Sequence, residues 1–412
     1  MRPIDLQKEH LTEKEKRSIN ILEILRRRGP VSRPEISKET GINVVTISNY
    51  IDDLIKNRLV YEKELDVSEG GRRPVLLDLN PKGAYVIGVG LNLMNMVGVL
   101  TDFKGNIILK TQVDRPGVSV KEVVGALLDI IREIVRRSKD YTKDIKGVGV
   151  GIAGIIDKKG ESIRWPEKAN GINTNYTSVN VHLGELIERE FGLPVIIEND
   201  ATAACFGEHW LRLDPSIKNI IFMFSGVGCG IMINEQIYTG SRGCAGEPSI
   251  FSYKDDPIFN CCTGNPCFLK RWEVDLEIVD SVKKELIKDK QAAEKFFELT
   301  SVSPDKIDLK TVFAAAKAKE PTAALALDLA AKRLGIKIAY LVDVLNPQIV
   351  IIGGGLEDAG EEFLNKVNSV VRDWAFREVT EDLKIVYSQL RGNAVALGAA
   401  SLVMQKLFAQ LC

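Results

Sequence analysis

Two arginines, Arg72 and Arg73, follow the glycine pair Gly70-Gly71 and precede Pro74. Guanidinium groups bind phosphate oxygens, and glycines remove side-chain bulk at the contact, so such a loop can follow a DNA backbone or enter a narrow minor groove. The net charge of the chain is only −1. Because charge gives no indication of a nucleic-acid partner, the prediction depends on the elements that hold this loop.

Those elements have the pattern of a winged helix-turn-helix. An amphipathic helix stops at Gly29-Pro30, and Ser32 caps a short second helix. A third helix follows Asn43 with its apolar residues on one face, and its polar face is expected to enter a groove of DNA. Two strands then flank the arginine loop. The residues predicted to contact DNA are Ser32, Arg33, Asn43, Val44, Thr46, Ser48, Asn49, Arg72 and Arg73.

The N-terminal pattern leaves one alternative open, a three-helix interaction module with a solvated basic loop. The run Arg26-Arg27-Arg28 stands at the end of the first helix. We interpret it as compensation of the helix dipole and not as a reader of bases.

The bulk properties favour a soluble chain with several domains. Its 412 residues suffice for two or three domains, and its 45% hydrophobic and 27% charged residues are ordinary for soluble proteins. The first ten residues are too polar for a signal peptide, and the longest apolar stretch, 220–233, is too short to span a membrane. We expect a cytoplasmic protein with no membrane partner. Its seven cysteines are an odd number and four of them are scattered, which predicts reduced thiols.

From Tyr85 onward, short β-rich runs alternate with amphipathic helices, and a similar order restarts at Ile220. Each of the two segments begins with several strands and continues with alternating helices and strands. This repeated order predicts two α/β lobes with a cleft between them.

Five short motifs stand out in the long C-terminal part of the chain. They are Gly149-Val150-Gly151-Ile152-Ala153-Gly154, Glu198-Asn199-Asp200-Ala201, Gly226-Val227-Gly228-Cys229-Gly230, Ala245-Gly246-Glu247 and Gly353-Gly354-Gly355. In order and spacing they resemble the motifs of the ROK family (repressors, open reading frames and sugar kinases). The segments 32–37, 46–48 and 70–74 resemble the N-terminal domain of the family's repressors. The resemblance covers essentially the whole chain.

The resemblance implies an α/β fold with an N-terminal winged helix-turn-helix and a two-lobed, actin-like ROK domain of the ribonuclease H-like and sugar-kinase-like type. Residues 1–80 would bind DNA and residues 81–200 would form the first lobe. Residues 201–390 would form the second lobe, with dimer contacts and a degenerate zinc motif. A C-terminal helix, 391–412, is expected to return to the first lobe.

In ROK kinases, a carboxylate accepts the proton of the sugar hydroxyl. The resemblance places Asp200 there as a vestigial base, beside Asn199. Alternatively, an Asp at the end of a strand only caps the next helix. Asparagines within 165–176 are a further candidate wall of the pocket, although they equally fit an ordinary polar loop. The predicted ligands of a small carbohydrate or polyol are Asn199, Asp200, Glu247, Asn170, Asn173, Asn175 and Gly154.

The first phosphate loop of ROK kinases has the pattern Asp-x-Gly-Gly-Thr. The corresponding residues here are Gly90, Asn92, Leu93 and Met94. A metal-linked carboxylate, close backbone approach and a hydroxyl donor are therefore lost. We expect no ATP turnover and no enzyme activity.

The family's zinc motif is also degenerate. Cys262 and Cys267 are in register, but Ile250 and Leu269 replace the expected His and Glu, and Cys261 is the substitute ligand nearby. Because a structural zinc site uses four N, S or O ligands, we expect no metal and no other cofactor. Zinc at Cys261, Cys262 and Cys267 is the alternative.

Together these features predict a homodimeric transcriptional repressor of carbohydrate-utilisation genes, with a tetramer as a further option. It would bind palindromic, double-stranded operator DNA, and a sugar or polyol in the cleft would change the DNA affinity. Two alternatives stay open. One is a sugar kinase with an accessory DNA-binding domain, and the other is a DNA-binding scaffold whose pocket binds no ligand.

Overall fold

The computed structural model describes residues 12–63, 75–92, 94–116, 120–139, 141, 144–157, 162–167, 177–224, 228–246 and 278–410. Its first elements are α1 (Glu13–Arg28), β1 (Val31–Ser32), α2 (Arg33–Thr40), α3 (Val44–Lys56), β2 (Val60–Lys63) and β3 (Leu76–Leu79). The three strands form one antiparallel sheet in the order β1-β3-β2. Three helices followed by a hairpin is the order predicted for this part of the chain.

Side-chain caps explain where these helices begin. Thr12 and Glu15 form a capping box at α1, and Ser32 and Glu35 form a second one at α2. The Asn43 side chain accepts a 2.8 Å hydrogen bond from a backbone N–H in the first turn of α3. Each cap satisfies backbone donors that have no partner inside the helix, so local sequence sets the helix starts.

The first lobe is built on a five-stranded sheet. Its elements are β4 (Tyr85–Leu91), β5 (Asn95–Thr101), β6 (Ile107–Asp114), α4 (Val120–Arg137), β7 (Ile145–Ile152), β8 (Ile155–Asp157), β9 (Ser162–Glu167), β10 (Thr177–Val181), α5 (Leu183–Phe191) and β11 (Val195–Asn199). The strand order is β11-β7-β4-β5-β6, in which β4, β7 and β11 run parallel. Strands β8 to β10 form a separate antiparallel sheet.

The second lobe has its own five-stranded sheet, in the order β14-β13-β12-β15-β16. Its elements are α6 (Asp200–Leu211), β12 (Ile220–Phe224), β13 (Gly228–Ile233), β14 (Gln236–Ile237), α7 (Ile278–Lys288), α8 (Lys290–Thr300), α9 (Leu309–Lys317), α10 (Pro321–Leu345), β15 (Ile349–Gly353), α11 (Glu361–Trp374), α12 (Arg377–Thr380) and β16 (Lys384–Tyr387). The last helix, α13 (Ala394–Gln410), returns to the sheet of the first lobe. The predicted mixed α/β class is confirmed. Within the described residues, no helix has the length and apolar character needed to cross a membrane.

Helices α6 and α13 cross at a backbone contact between the two sheets. Helix α6 leads from β11 to β12, whereas α13 follows β16 and packs on β4 and β7. A Cβ on Gly398 of α13 would overlap the carbonyl of Ala203 in α6, and a Cβ on Gly207 would lie 2.7 Å from the Gly398 Cα. Glycine is required at both positions because a side chain would push the helices apart.

One hydrophobic cluster runs from the N-terminal helices into the helix pair. It contains Ile21 and Leu25 of α1, Trp210 of α6, and Leu407 and Phe408 of α13. The N-terminal elements therefore pack directly on the helices that join the lobes. Where the domains divide stays a prediction.

Candidate functional site

Three parallel strands of the first lobe end side by side. Gly90 of β4, Gly151 of β7 and Glu198 of β11 share one level of the strand register. Residues that follow these strands meet at the carboxyl edge of the sheet, where open α/β sheets bind ligands. The carboxyl edge comprises Asn92, Gly154, Glu198, Asn199 and Asp200.

Asn199 is the N-cap of α6, and Asp200 is its first residue. The Asn199 Oδ1 accepts hydrogen bonds from the N–H groups of Ala201 (3.0 Å) and Thr202 (3.2 Å), and its Nδ2 donates to the Gly154 carbonyl at 3.4 Å. Gly154 has a φ of +127°, a region that favours glycine. The structure thus brings three of the predicted ligands together. The capping role that the sequence left open for Asp200 is performed by Asn199 instead.

Two carboxylates are buried at the carboxyl edge, since Glu198 and Asp200 are each only 8% exposed. Glu198 accepts a 3.0 Å hydrogen bond from the Asn199 N–H, and Asp200 accepts one of 2.8 Å from the Ala201 N–H. Backbone donors therefore fix both carboxylates in place. Ionised carboxylates are acceptors for hydroxyl groups, so this arrangement suits a molecule rich in hydroxyls.

The hairpin tip between β4 and β5 is closed by its own hydrogen bonds. The Asn92 N–H donates to the Asn95 carbonyl at 2.8 Å. The Asn92 Nδ2 donates to the Asn95 Oδ1 at 3.0 Å and to the Gly392 carbonyl at 2.7 Å. Among the described residues, nothing donates to the buried Asn92 Oδ1. Arg115, which follows β6, donates from Nη1 to the Asn92 carbonyl at 2.6 Å.

Helix α3 buries one face and exposes the other. Ile47, Ile51 and Leu54 are buried, whereas Val44 and Val45 are 43% and 74% exposed. Asn43 and Asn49 are exposed, and Thr46 and Ser48 are partly buried; these residues and Val44 belong to the predicted DNA contacts. Exposed valines at the start of such a helix are apolar groups of the kind that contact thymine methyls in a major groove.

The two remaining described residues of the predicted DNA face point elsewhere. Ser32 is buried, and its hydroxyl donates to Glu35 within the capping box. The Arg33 guanidinium is held by Glu62 at 3.0 Å and by Asp52 at 3.2 Å. Their polar groups are already paired, so α3 presents the exposed part of this face.

The other predicted site residues lie outside the described residues. They are Arg72 and Arg73 of the DNA-contacting set, Leu93 of the phosphate loop, Asn170, Asn173, Asn175 and Glu247 of the ligand set, and Cys261, Cys262 and Cys267 of the metal set. In the part of the chain that the structure does describe, no group of three His, Cys, Asp or Glu side chains could hold a metal ion.

Comparison with known proteins places this geometry in a family. The model of the ROK family matches residues 86–406. The chain belongs to the ROK family. A xylose repressor from Caldicellulosiruptor bescii is 31% identical over 382 residues, which is 92% of each chain. The family resemblance drawn from the motifs is confirmed.

Two solved ROK structures have the same fold. A ROK family transcriptional regulator, a homolog of the E. coli MLC protein, superposes with a TM-score of 0.71 at 22% identity over 97% of each chain. A ROK family glucokinase from Streptomyces griseus, solved with glucose and AMPPNP, gives a TM-score of 0.63 at 25% identity. That match covers 77% of this chain but 99% of the kinase. The regulator therefore matches this ROK chain over nearly its whole length, and the glucokinase over a smaller part.

In this ROK chain, α1 is joined to the end of α6 by a buried polar contact. The Arg26 guanidinium lies 4.0 Å from the ring centroid of Trp210 and donates to the Trp210 carbonyl. Arg26 also pairs with Glu23 at 2.8 Å, with side chains only 8% and 16% exposed. Burial raises the pKa of Glu23 despite the adjacent guanidinium. Phe206 stacks on Trp210 at 5.3 Å, and Phe408 lies 5.7 Å away. We name Glu23, Arg26 and Trp210 the α1–α6 joint.

Sequence reasoning missed three features of the site. Arg26 does stand in the last turn of α1, as dipole compensation requires, but it also points into the protein toward a partner 184 residues away. Val45 was omitted from the DNA face although it is the more exposed valine. Arg115 was not singled out at all. The helical periodicity of α3 already places Val45 on the exposed face, so the sequence could have identified it. Arg26 and Arg115 contact partners that no local pattern reveals.

Proposed function

We propose that the protein is a sugar-responsive transcriptional repressor that binds operator DNA through α3 and its effector at the carboxyl edge. One observation carries the proposal. Helix α6 has Asn199 as its N-cap and Asp200 as its first residue at that edge, and Trp210 in its last turn holds α1 of the N-terminal elements. A single rigid element thus connects the proposed effector site with the proposed DNA-binding part.

The connection is short enough to transmit a small displacement. Helix α6 has 12 residues, so its ends are about 18 Å apart at about 1.5 Å per residue. An effector that draws the lobes together would shift the start of α6, and the α1–α6 joint would carry that shift to α1. To act as a switch, the effector must favour one arrangement by about 1–3 kcal/mol.

Relatives support a regulator over an enzyme. The xylose repressor aligns over 92% of this chain and the ROK regulator over 97%, whereas the glucokinase aligns over 77%. The ROK family model itself begins at residue 86. A DNA-binding role for the residues before it accounts for the longer matches.

The hydrogen bonds at the hairpin tip argue against phosphoryl transfer. A phosphate-binding loop must offer free backbone N–H groups. Here the Asn92 N–H is used by Asn95, and a guanidinium occupies the Asn92 carbonyl. We therefore propose that Asp200 serves as a ligand and not as a base, and that no metal or cofactor takes part.

The proposed effector is a small carbohydrate or polyol. Asn199, Asp200 and Gly154 would contact its hydroxyls, and the four predicted ligands outside the described residues would complete the pocket. A xylose repressor among the relatives favours a pentose as the first sugar to test. The action on DNA also implies a cytoplasmic location.

A homodimer would let two α3 helices read a palindromic operator one helical turn apart. A surface on the second lobe offers a candidate contact, because large apolar side chains of α10 and of the end of α11 are exposed there. They are Leu325, Leu329, Tyr340, Val344, Trp374 and Phe376. Exposed apolar patches on soluble proteins often mark protein contacts.

Fluorescence anisotropy with a labelled operator fragment tests the proposal. We expect tight binding that weakens at least fivefold when the effective sugar is added, and an Asp200→Asn protein that binds the operator but needs about 10- to 100-fold more sugar to release it. A coupled ADP-release assay with the same sugars should stay at background. Operator binding that is indifferent to every sugar that binds, or phosphoryl transfer at an enzyme-like rate, would contradict the proposal.

A further inference from the structure

Arg115 lies at the carboxyl edge without a role in the site described so far. Its backbone N–H donates to the Met94 carbonyl at 3.1 Å, which places it beside the hairpin tip. Its Nη1 donates to the Asn92 carbonyl at 2.6 Å. Because Arg115 follows β6 and Asn92 follows β4, the side chain reaches across β5 and points toward β7 and β11.

Arg115 and Asp200 lie on the two sides of β7 at this edge. Strand β7 stands between β4 and β11, so the ends of β4 and β11 are two strand spacings of about 4.8 Å each apart, roughly 10 Å. Arg115 is anchored at the Asn92 end, and Asp200 begins α6 at the Asn199 end. One sugar ring with a hydrogen bond at each side spans a separation of this size.

Arg115 and Asp200 interact electrostatically. Crowding by the surrounding protein lowers the pKa of Arg115, and the Asp200 carboxylate opposes this effect. An arginine has five N–H donors. Among the described residues, the Asn92 carbonyl is the one acceptor that Arg115 meets with its side chain, and the residue is exposed. The remaining donors are open to a ligand.

We propose that Arg115 is a ligand of the effector, donating to one hydroxyl of a neutral sugar or polyol while Asp200 accepts from another. This inference rests on the proposed function. A hydroxyl both donates and accepts, so it matches an arginine on one side and a carboxylate on the other. Phosphate or carboxylate groups fit less well, because Glu198 and Asp200 are both buried at the same edge and would repel them.

The consequence is a selectivity that the family motifs do not give. A sugar without the hydroxyl in front of Arg115 leaves the guanidinium desolvated and unpaired. We expect such a deoxy sugar to bind about 10- to 100-fold more weakly than its parent, the range for a hydrogen bond to a charged group.

The test is isothermal titration calorimetry on the full-length protein with D-xylose, D-glucose, their deoxy analogues and D-glucose 6-phosphate. For the neutral sugar that binds, Arg115→Gln should weaken binding about 10- to 100-fold, and Arg115→Lys should recover part of the loss because it keeps the charge without the planar fork. The matched control is Arg137→Gln, because Arg137 is exposed and donates to a backbone carbonyl, that of Lys110 at 3.1 Å. This control should bind sugar like the original protein.

The outcomes separate the two proposals. Unchanged sugar binding in both Arg115 variants would overturn the inference and leave the repressor proposal standing. Tighter binding of the sugar phosphate than of the neutral sugar, lost in Arg115→Gln, would also overturn it, because Arg115 would then be an anion site. If no sugar binds the original protein, the proposed function fails and takes the inference with it. A melting curve of each variant without sugar shows whether it is folded.

Discussion

The two ends of α6 differ in what their polar groups face. At the first end, Asn199 and Asp200 meet the edge of a sheet, where the Asn92 Oδ1 and most Arg115 donors have no partner among the described residues. At the second end, the Trp210 carbonyl accepts from Arg26, and the guanidinium is stacked and paired. The first end is the proposed ligand site, and the second is bound to the N-terminal elements. Through such a helix, an effector at the proposed site can act on the N-terminal elements.

Disrupting the α1–α6 joint should have the largest effect on stability. Arg26→Ala removes the nearer of the two cations at the buried Glu23 and leaves Arg27 at 3.6 Å, so we expect the free energy of unfolding to fall by up to about 3–5 kcal/mol. Urea denaturation measures this. The double variant Glu23→Gln with Arg26→Met should lose less than Arg26→Ala alone. It should also bind sugar normally but release DNA poorly. Normal sugar-induced release from this folded variant would show that the joint does not couple the sites.

His209, which precedes Trp210 in α6, should make the free energy of unfolding depend on pH. Burial, reinforced by Arg27 and Arg26 and opposed by Glu235, lowers the pKa of His209 from 6.5 to about 4. The unfolded chain therefore binds a proton that the folded protein does not, and stability should fall as pH drops from about 6.5 to about 4, by up to about 3 kcal/mol.

Comparing unfolding free energies across this range in His209→Gln isolates that contribution, because other groups titrate alike in both proteins. We expect a flatter pH profile for the variant. His182→Gln, which changes an exposed histidine, is the control and should keep the original slope. An original slope in His209→Gln would show that His209 does not titrate in this window.

The packing of α6 against α13 can be tested with a pair of glycine variants. Gly398→Ala places a methyl group into the Ala203 carbonyl, so stability should fall by about 1–3 kcal/mol. Gly125→Ala in α4 meets nothing within 4 Å and should raise stability by about 0.5–1 kcal/mol through helix propensity. Thermal unfolding of both proteins gives the difference. Equal effects in the two variants would mean that α6 and α13 do not touch at the crossing.

A substitution of Asp200 should have the smallest effect on stability but should clearly weaken sugar binding. Asp200→Asn keeps the shape and removes the charge, so sugar affinity should fall by about 1.5–3 kcal/mol, the worth of a hydrogen bond to a charged group. Calorimetric titration measures it, with Asp114→Asn, an exposed residue at the end of β6, as the control. If Asp200→Asn and the control bind the sugar alike, Asp200 only belongs to the helix start.

The sequence by itself determined the parts that depend on neighbouring residues. Capping residues at 12, 32 and 43, the apolar face of α3, the strands around 85–91 and 195–199, and the motif that places Asn199 and Asp200 together were all predictable, because caps and periodicity act over one or two helical turns.

The tertiary structure decided which distant residues meet. Arg26 reaches Trp210 across 184 residues, and Asn92 reaches Gly392 across 300. Arg115 reaches Asn92 because β6 lies two strands from β4 in the folded sheet. Such contacts depend on the order of strands and on the crossing of two helices, which are set by packing of the whole core and leave no trace in local spacing.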